Sequence, residues 1–269
     1  MTESSTSAIV IFDIDGVVRD VSGSYRRAIA DTVEHFTGDT YRPTPGDIDK
    51  LKSEGIWNND WEASQEFIYR HFETQGQSRE SKKLDYNTIV AFFQSRYRGT
   101  DPDNWNGYIC DEPLLLQPSY LEQLTLAEIP WGFFSGATRL SATYILEKRL
   151  DLKSPVLIAM EDAPSKPDPT GLFATLQLLE NEEQENTPVV YVGDTVADMY
   201  TVEKARKLHP NRTWIAVGVL PPHVQQTVEV RDAYTQILLK AGAAIVLGNV
   251  QELSPKKIQE LLAMDIKRM

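Results

Sequence analysis

The stretch Ala8-Ile9-Val10-Ile11-Phe12-Asp13-Ile14-Asp15-Gly16-Val17-Val18 decides how the chain is read. Its first five residues are apolar without interruption and stop at Asp13, the pattern of a strand buried on both faces of a parallel sheet. Two carboxylates follow, two residues apart, and point to the same side if the extended geometry persists past the strand. Like charges this close repel. A divalent cation joining them relieves the repulsion, and hard oxygen ligands suit magnesium (Mg²⁺). Asp and Gly also build ordinary turns, so the stretch alone leaves that reading open.

Similar apolar runs return at residues 131–134, 156–160, 189–192, 213–217 and 243–247. Between them, helical spacing of apolar residues appears at 140–150, 170–179, 197–208 and 224–241. Strand and helix in alternation predict an α/β fold with a doubly wound parallel sheet, whose ligand sits beyond the carboxyl ends of the strands. Residues 21–107 break this rhythm. They hold candidate helices at 25–36, 60–72 and 84–97 but no strong strand run, and turn-rich loops punctuate them at Arg42-Pro43-Thr44-Pro45-Gly46 and Gly99-Thr100-Asp101-Pro102-Asp103. The expected organisation is a core made of residues 1–20 and 108–269, interrupted by a helical insertion over 21–107. The acidic run 180–185 reads as a solvated helix end and loop.

Three further predicted strand ends carry chemistry. Phe134-Ser135-Gly136-Ala137-Thr138-Arg139 offers a hydroxyl and a glycine backbone at a helix entry, where N–H groups and the helix dipole favour an anion; a plain N-cap is the alternative. Ser165-Lys166-Pro167-Asp168-Pro169 is stiffened by two prolines that hold Lys166 near a fixed place. A lysine there can offset carboxylate repulsion and phosphoryl charge, or simply be solvated. In Val192-Gly193-Asp194-Thr195-Val196-Ala197-Asp198-Met199 the two aspartates stand at i and i+4, on one face of the following helix. Either both face a metal, or they serve as N-cap and dipole partner.

Each signal has an ordinary explanation singly, but each also lies at the carboxyl end of a different predicted strand. In this combination the sequence resembles the haloacid dehalogenase superfamily, whose four motifs match Asp13-Ile14-Asp15-Gly16, Ser135-Gly136, Lys166-Pro167 and Gly193-Asp194 through Asp198. The resemblance implies that Asp13 attacks phosphorus and becomes an aspartyl phosphate, while Asp15 protonates the leaving alcohol and later activates water. It also implies Mg²⁺ held by a carboxylate oxygen of Asp13, the backbone carbonyl of Asp15 and the side chain of Asp194, with Asp198 a ligand directly or through water. Phosphoryl charge would meet Ser135, the Gly136 N–H and Lys166. Dehalogenases of the superfamily lack an acid equivalent to Asp15, so its presence favours phosphoryl transfer. The expected function is hydrolysis of a small phosphorylated metabolite such as a sugar phosphate. A phosphomutase with the same chemistry and a non-enzymatic phospho-ligand binder are the alternatives.

The superfamily places a cap domain over its site. Only residues 140–165 separate Arg139 from Lys166, too few for an added domain, so a cap must follow the first motif, as in the subfamily with a helical cap. Within that insertion Trp57-Asn58-Asn59-Asp60-Trp61 sets amide and carboxylate groups between two aromatics. It reads equally as a segment that recognises a polar substrate or as a helix start with packing tryptophans. Because Asp13, Asp15, Asp194 and Asp198 would crowd one pocket with only Lys166 to offset them, Asp198→Asn is expected to leave metal-free stability unchanged or raised.

Composition excludes several classes. A formal net charge of −12 over 269 residues argues against a general nucleic-acid binder, which needs clustered Lys and Arg. The single cysteine, Cys110, permits no intramolecular disulfide, and His35, His71, His209 and His223 show no metal-ligand spacing. The opening MTESSTSAIVIFD lacks the features of a secretory signal, and no apolar run approaches 18 residues. The expectation is a soluble cytoplasmic protein with a small-molecule substrate, no nucleic acid and no membrane.

Overall fold

A computed structural model describes residues 8–266 apart from 53, 55, 58 and 181–185. In chain order its elements are β1 (Ile9–Phe12), α1 (Tyr25–Phe36), α2 (Pro45–Lys52), α3 (Asp60–Thr74), α4 (Tyr86–Tyr97), α5 (Pro118–Leu126), β2 (Trp131–Phe134), α6 (Arg139–Thr143), β3 (Leu157–Ile158), α7 (Thr170–Leu179), β4 (Val189–Gly193), α8 (Val196–Leu208), β5 (Trp214–Val219), α9 (Val228–Lys240), β6 (Ile245–Leu247) and α10 (Pro255–Ile266). The six strands are all parallel, in the order β3-β2-β1-β4-β5-β6. The chain moves outward from β1 in one direction through β3, then returns to add β4 on the other side. That reversal opens a crevice between β1 and β4 at their carboxyl ends.

Continuous apolar strands form because helices cover both faces. β1, β4 and β5 are buried at every position. Each such Ile or Val side chain contributes roughly 1.5–3 kcal/mol on leaving water. Ile9, Ile11, Val189 and Tyr191 share one cluster with Leu172 and Leu176 of α7 and Met199 and Val202 of α8. At the sheet edges the strands are shorter than their apolar runs. β3 pairs only through Leu157 and Ile158, after which the Met160 N–H turns to the carbonyl of Ala137.

The predicted helix 140–150 starts one residue earlier as α6 and passes into a π-helical turn over Tyr144–Arg149. The predicted helix 224–241 is broken: a 3₁₀ turn at Pro222–Gln225 precedes α9, whose start is set by the Thr227 hydroxyl accepting from Val230 N. The stretch 42–46, expected as loop, already contains the start of α2. Pro45 lacks only an N–H that a first turn does not need, and Thr44 and Asp47 exchange capping hydrogen bonds, Thr44 N to Asp47 Oδ2 at 2.8 Å and Asp47 N to Thr44 Oγ1 at 3.2 Å.

The chain divides into two compact units, one formed by Met1–Asp20 with Leu114–Met269 and the other by Val21–Pro113. The second unit is helical. Its α1 packs against both α3 and α4, burying Ala28, Ile29 and Val33 with Phe67, Ile68, Ile89 and Phe93. The junction falls at residue 113, not at 107 as the sequence suggested. The 3₁₀ turn Tyr108–Asp111 packs on α1 and α4, Tyr108 OH donates to Asp31, and the Ser24 hydroxyl donates to the buried Glu112. Polar pairings of this kind are invisible to apolar periodicity. No described helix is long and apolar enough to cross a membrane.

Candidate active site

Four loops leave the carboxyl ends of β1, β2, β3 and β4, and each brings one of the residues singled out in the sequence. Asp13 follows β1 and is tied to the neighbouring strand by its N–H, which donates to the Val192 carbonyl at 2.8 Å. Its Oδ1 accepts from Ile14 N at 2.7 Å, and its Oδ2 lies 2.8 Å from Lys166 Nζ. The same ammonium reaches Asp198 Oδ1 at 2.7 Å and sits above the rings of Phe134 and Tyr191. One buried cation therefore joins carboxylates from two different strand ends.

Asp194 completes the group. One oxygen from each of Asp13, Asp194 and Asp198 lies within 4.8 Å of the others. Asp198 is fully satisfied: Oδ1 takes Lys166 and the Tyr191 hydroxyl at 3.1 Å, and Oδ2 takes Thr195 N at 2.9 Å and Thr195 Oγ1 at 2.6 Å. Thr195, not Asp194, is the N-cap of α8, and Asp198 is the third residue of its first turn, in a capping box. The carboxylate of Asp194 meets no hydrogen-bond donor among the described residues. Its neighbour Gly16 permits the approach, since a Cβ there would stand 2.0 Å from Asp194 Oδ2, and the backbone at Gly16 has a φ of 74°.

The charges respond to these surroundings. Burial pushes the Asp13 carboxyl up to about 7; Lys166 opposes this, while Asp198 and Asp15 add to it. Burial, then Asp198 and Asp13, push Asp194 well above the carboxylate range. For Asp198 burial works the same way but is outweighed by Lys166 and Thr195, which hold it below that range. Burial disfavours the charge on Lys166, yet Asp13 and Asp198 raise it well above the ordinary lysine value. The imbalance sits on Asp13 and Asp194, where negative charge exceeds the donors present.

Ser135 is 1% exposed, and its Oγ accepts from Ala137 N at 3.1 Å. The helix start that follows is capped by Thr138, so Ser135 is not an N-cap. Neither the Ser135 hydroxyl proton nor the Gly136 N–H has an acceptor among the described residues, and nothing stands within 4 Å of where a Gly136 Cβ would be. Two donors in the loop that leaves the carboxyl end of β2 suit an anion.

Asp15 departs from its expected placement. Extended geometry ends at Phe12, and the Ile14 carbonyl accepts from the N–H groups of Val17, Val18 and Arg19 in a tight turn. The Asp15 carboxylate consequently lies outside the three-aspartate group and pairs with Arg19. Arg19 and Tyr191 were missed in the sequence. Tyr191 had one signal, a hydroxyl inside a strand buried on both faces, which must find a partner.

Trp57, Asn59, Asp60 and Trp61 belong to the inserted unit; Asn58 lies outside the described residues. Asn59 is the N-cap of α3, its Oδ1 accepting from Trp61 N at 2.9 Å and Glu62 N at 3.3 Å. Asp60 pairs with Lys52 at 2.7 Å, and Trp57 Nε1 donates to Glu54. The helix-start reading of this segment is present in the geometry.

A family model described as haloacid dehalogenase-like hydrolase matches residues 8–206. A curated relative from Phytophthora nicotianae, named imidazoleglycerol-phosphate dehydratase, is 30% identical over 256 residues, which is 91% of this chain and 52% of that protein. The chain thus spans about half the length of the curated relative it matches. Among solved structures, phosphatase Tt82 from Thermococcus thioreducens superposes with a TM-score of 0.63 at 23% identity, covering 84% of this chain and 98% of that one. A phosphonoacetaldehyde hydrolase-like protein from Oleispira antarctica gives 0.67 at 17% identity, covering 95% and 92%. These two likenesses bear on the fold, whereas the family model reaches from β1 into α8 and takes in all four strand-end loops, so the chain belongs to the haloacid dehalogenase-like hydrolase family.

Proposed function

We propose that the protein is a Mg²⁺-dependent phosphatase that hydrolyses a small phosphate monoester through an aspartyl phosphate on Asp13. The observation that carries this reading is the pairing of Asp13 with Lys166 beside an Asp194 carboxylate that meets no donor among the described residues. That surplus of carboxylate oxygen fits a hard divalent cation, which Asp13, Asp194 and the Asp15 carbonyl would hold; Asp198, with its acceptor sites occupied, serves to fix Lys166. When bound, the ion supplies positive charge to the phosphoryl oxygens and removes the repulsion between Asp13 and Asp194.

Asp13 is held for attack, since Ile14 N and Lys166 restrain its two oxygens. Its oxygen bonds to phosphorus as the bond to the leaving oxygen breaks, and Asp15 gives that oxygen its proton. Ser135 Oγ, Gly136 N and Lys166 Nζ donate to the phosphoryl oxygens. Asp15 then takes a proton from water, whose oxygen bonds to phosphorus while the Asp13–phosphorus bond breaks, and inorganic phosphate leaves.

The test is phosphate release from a panel of phosphorylated metabolites with Mg²⁺ or with chelator. The panel includes sugar phosphates and, given the name of the Phytophthora relative, an imidazole-bearing phosphate ester. Release that depends on Mg²⁺ is expected. Substrate isomerisation without net phosphate release would indicate the mutase, and tight binding without turnover the non-enzymatic alternative.

A further inference from the structure

Arg19 has no part in the reaction outlined above, yet it is one of the largest fully buried side chains in the protein, 1% exposed. Its backbone is fixed on both sides: its carbonyl accepts from Gly16 N at 2.9 Å, and it bridges Leu114, while the adjacent Val18 carbonyl accepts from Leu115 N at 2.8 Å. From this anchored position Nε and Nη2 reach Asp15 at 2.8 and 2.6 Å. Both contacts fall on the same oxygen, Oδ1. The second oxygen, Oδ2, meets no donor among the described residues.

We propose that Arg19 is a positioning residue for Asp15, pinning Oδ1 so that Oδ2 alone exchanges the proton with the leaving oxygen and later with water. This inference rests on the phosphatase reading. A general acid must hold one oxygen within hydrogen-bond reach of the atom it protonates, and a free carboxyl side chain spreads over several rotamers. A guanidinium frequently grips both oxygens of a carboxylate, which would leave each with one lone pair for proton transfer. Here the fork closes on one. In each half-reaction the proton balance is then carried at Oδ2: it leaves for the alcohol oxygen as the ester bond breaks, and returns from water as phosphate forms.

The experiment measures kcat/KM for phenyl phosphate and 4-nitrophenyl phosphate on the full chain with Mg²⁺, comparing wild type with Arg19→Gln and Arg19→Lys. Phenol is the poorer leaving group and needs its proton, whereas 4-nitrophenolate departs readily without one. Arg19→Gln should raise the ratio of the 4-nitrophenyl to the phenyl rate by about tenfold or more, and Arg19→Lys, which keeps one charged donor, should raise it less. The ratio does not depend on how much of a sample is folded, and Arg19→Lys supplies it if Arg19→Gln fails to fold. Equal losses on both substrates would make Arg19 a structural residue and overturn the proposal, as would unchanged rates. A wild-type protein inactive on every phosphate ester would instead overturn the phosphatase reading from which the proposal starts.

Discussion

Asp194 and Asp198 have the same side chain four residues apart, but the structure gives them opposite consequences. Asp198 receives four donors, and an asparagine there would place an NH₂ against Lys166 or against Thr195. Asp198→Asn should therefore lower the melting temperature in chelator, with a cost of about 2–5 kcal/mol for breaking a buried charged network. This reverses what carboxylate crowding alone suggested from the sequence, because spacing showed the charges but not the donors. Asp194 meets no donor among the described residues, so Asp194→Asn should raise the chelator-treated melting temperature at pH 8 and abolish the further rise expected with Mg²⁺. Thermal melts of the two variants with and without Mg²⁺ check both outcomes; a stabilised Asp198→Asn would remove Asp198 from its place as the anchor of Lys166. Asp13, Ser135, Lys166, Asp194 and Asp198 were legible because each follows an apolar run. The pairing of Asp15 with Arg19 was not, since it depends on how the chain turns after Phe12.

At the level of elements, apolar runs located β1, β2 and β4 nearly to the residue because parallel strands buried on both faces leave no other reading. Helix starts were less legible, since hydroxyl and carboxylate caps fix them: Thr44 with Asp47 for α2, Thr227 for α9 and Thr195 for α8. The loop after β1 holds the close approach of Gly16 to Asp194, and Gly16→Ala should reduce phosphatase activity and Mg²⁺ affinity together. A methyl group there collides with Asp194 Oδ2, and a φ of 74° is strained for alanine by roughly 1 kcal/mol or more. Isothermal titration with Mg²⁺ reads the affinity; wild-type binding would show that Asp194 is no ligand. In α3, Asn59→Ala should cost about 1 kcal/mol of stability through the lost N-cap and leave the relative rates on natural and aryl substrates unchanged. Selective loss on the natural substrate would assign Asn59 to recognition instead.

For the whole molecule, pH acts on the carboxylates that the proposed cation would join. Burial pushes the Asp13 carboxyl from its ordinary 3.8 up to about 7 in the folded protein without a cation, so the folded state binds its proton more tightly. Through Asp13, metal-free stability therefore falls as pH rises from about 4 through 7, and Asp194 acts in the same direction. Asp198, held below its ordinary range, and Lys166, held above its own, contribute throughout pH 5–8 and leave that slope unchanged. In chelator the melting temperature at pH 8 should lie several degrees below that at pH 5.5, on the order of 2–4 °C per kcal/mol for a chain of this size, and Mg²⁺ should raise it more at pH 8. A metal-free protein more stable at pH 8 would contradict the charge balance assigned to the site. The central claim is the bond between Asp13 and phosphorus, and the most direct measurement is acid quench of a single turnover with ³²P-labelled substrate, followed by peptide mapping. Wild type should carry hydroxylamine-sensitive label on the peptide containing Asp13, and Asp13→Asn should carry none and release no phosphate. Full turnover by Asp13→Asn, or label on another residue, would contradict the account.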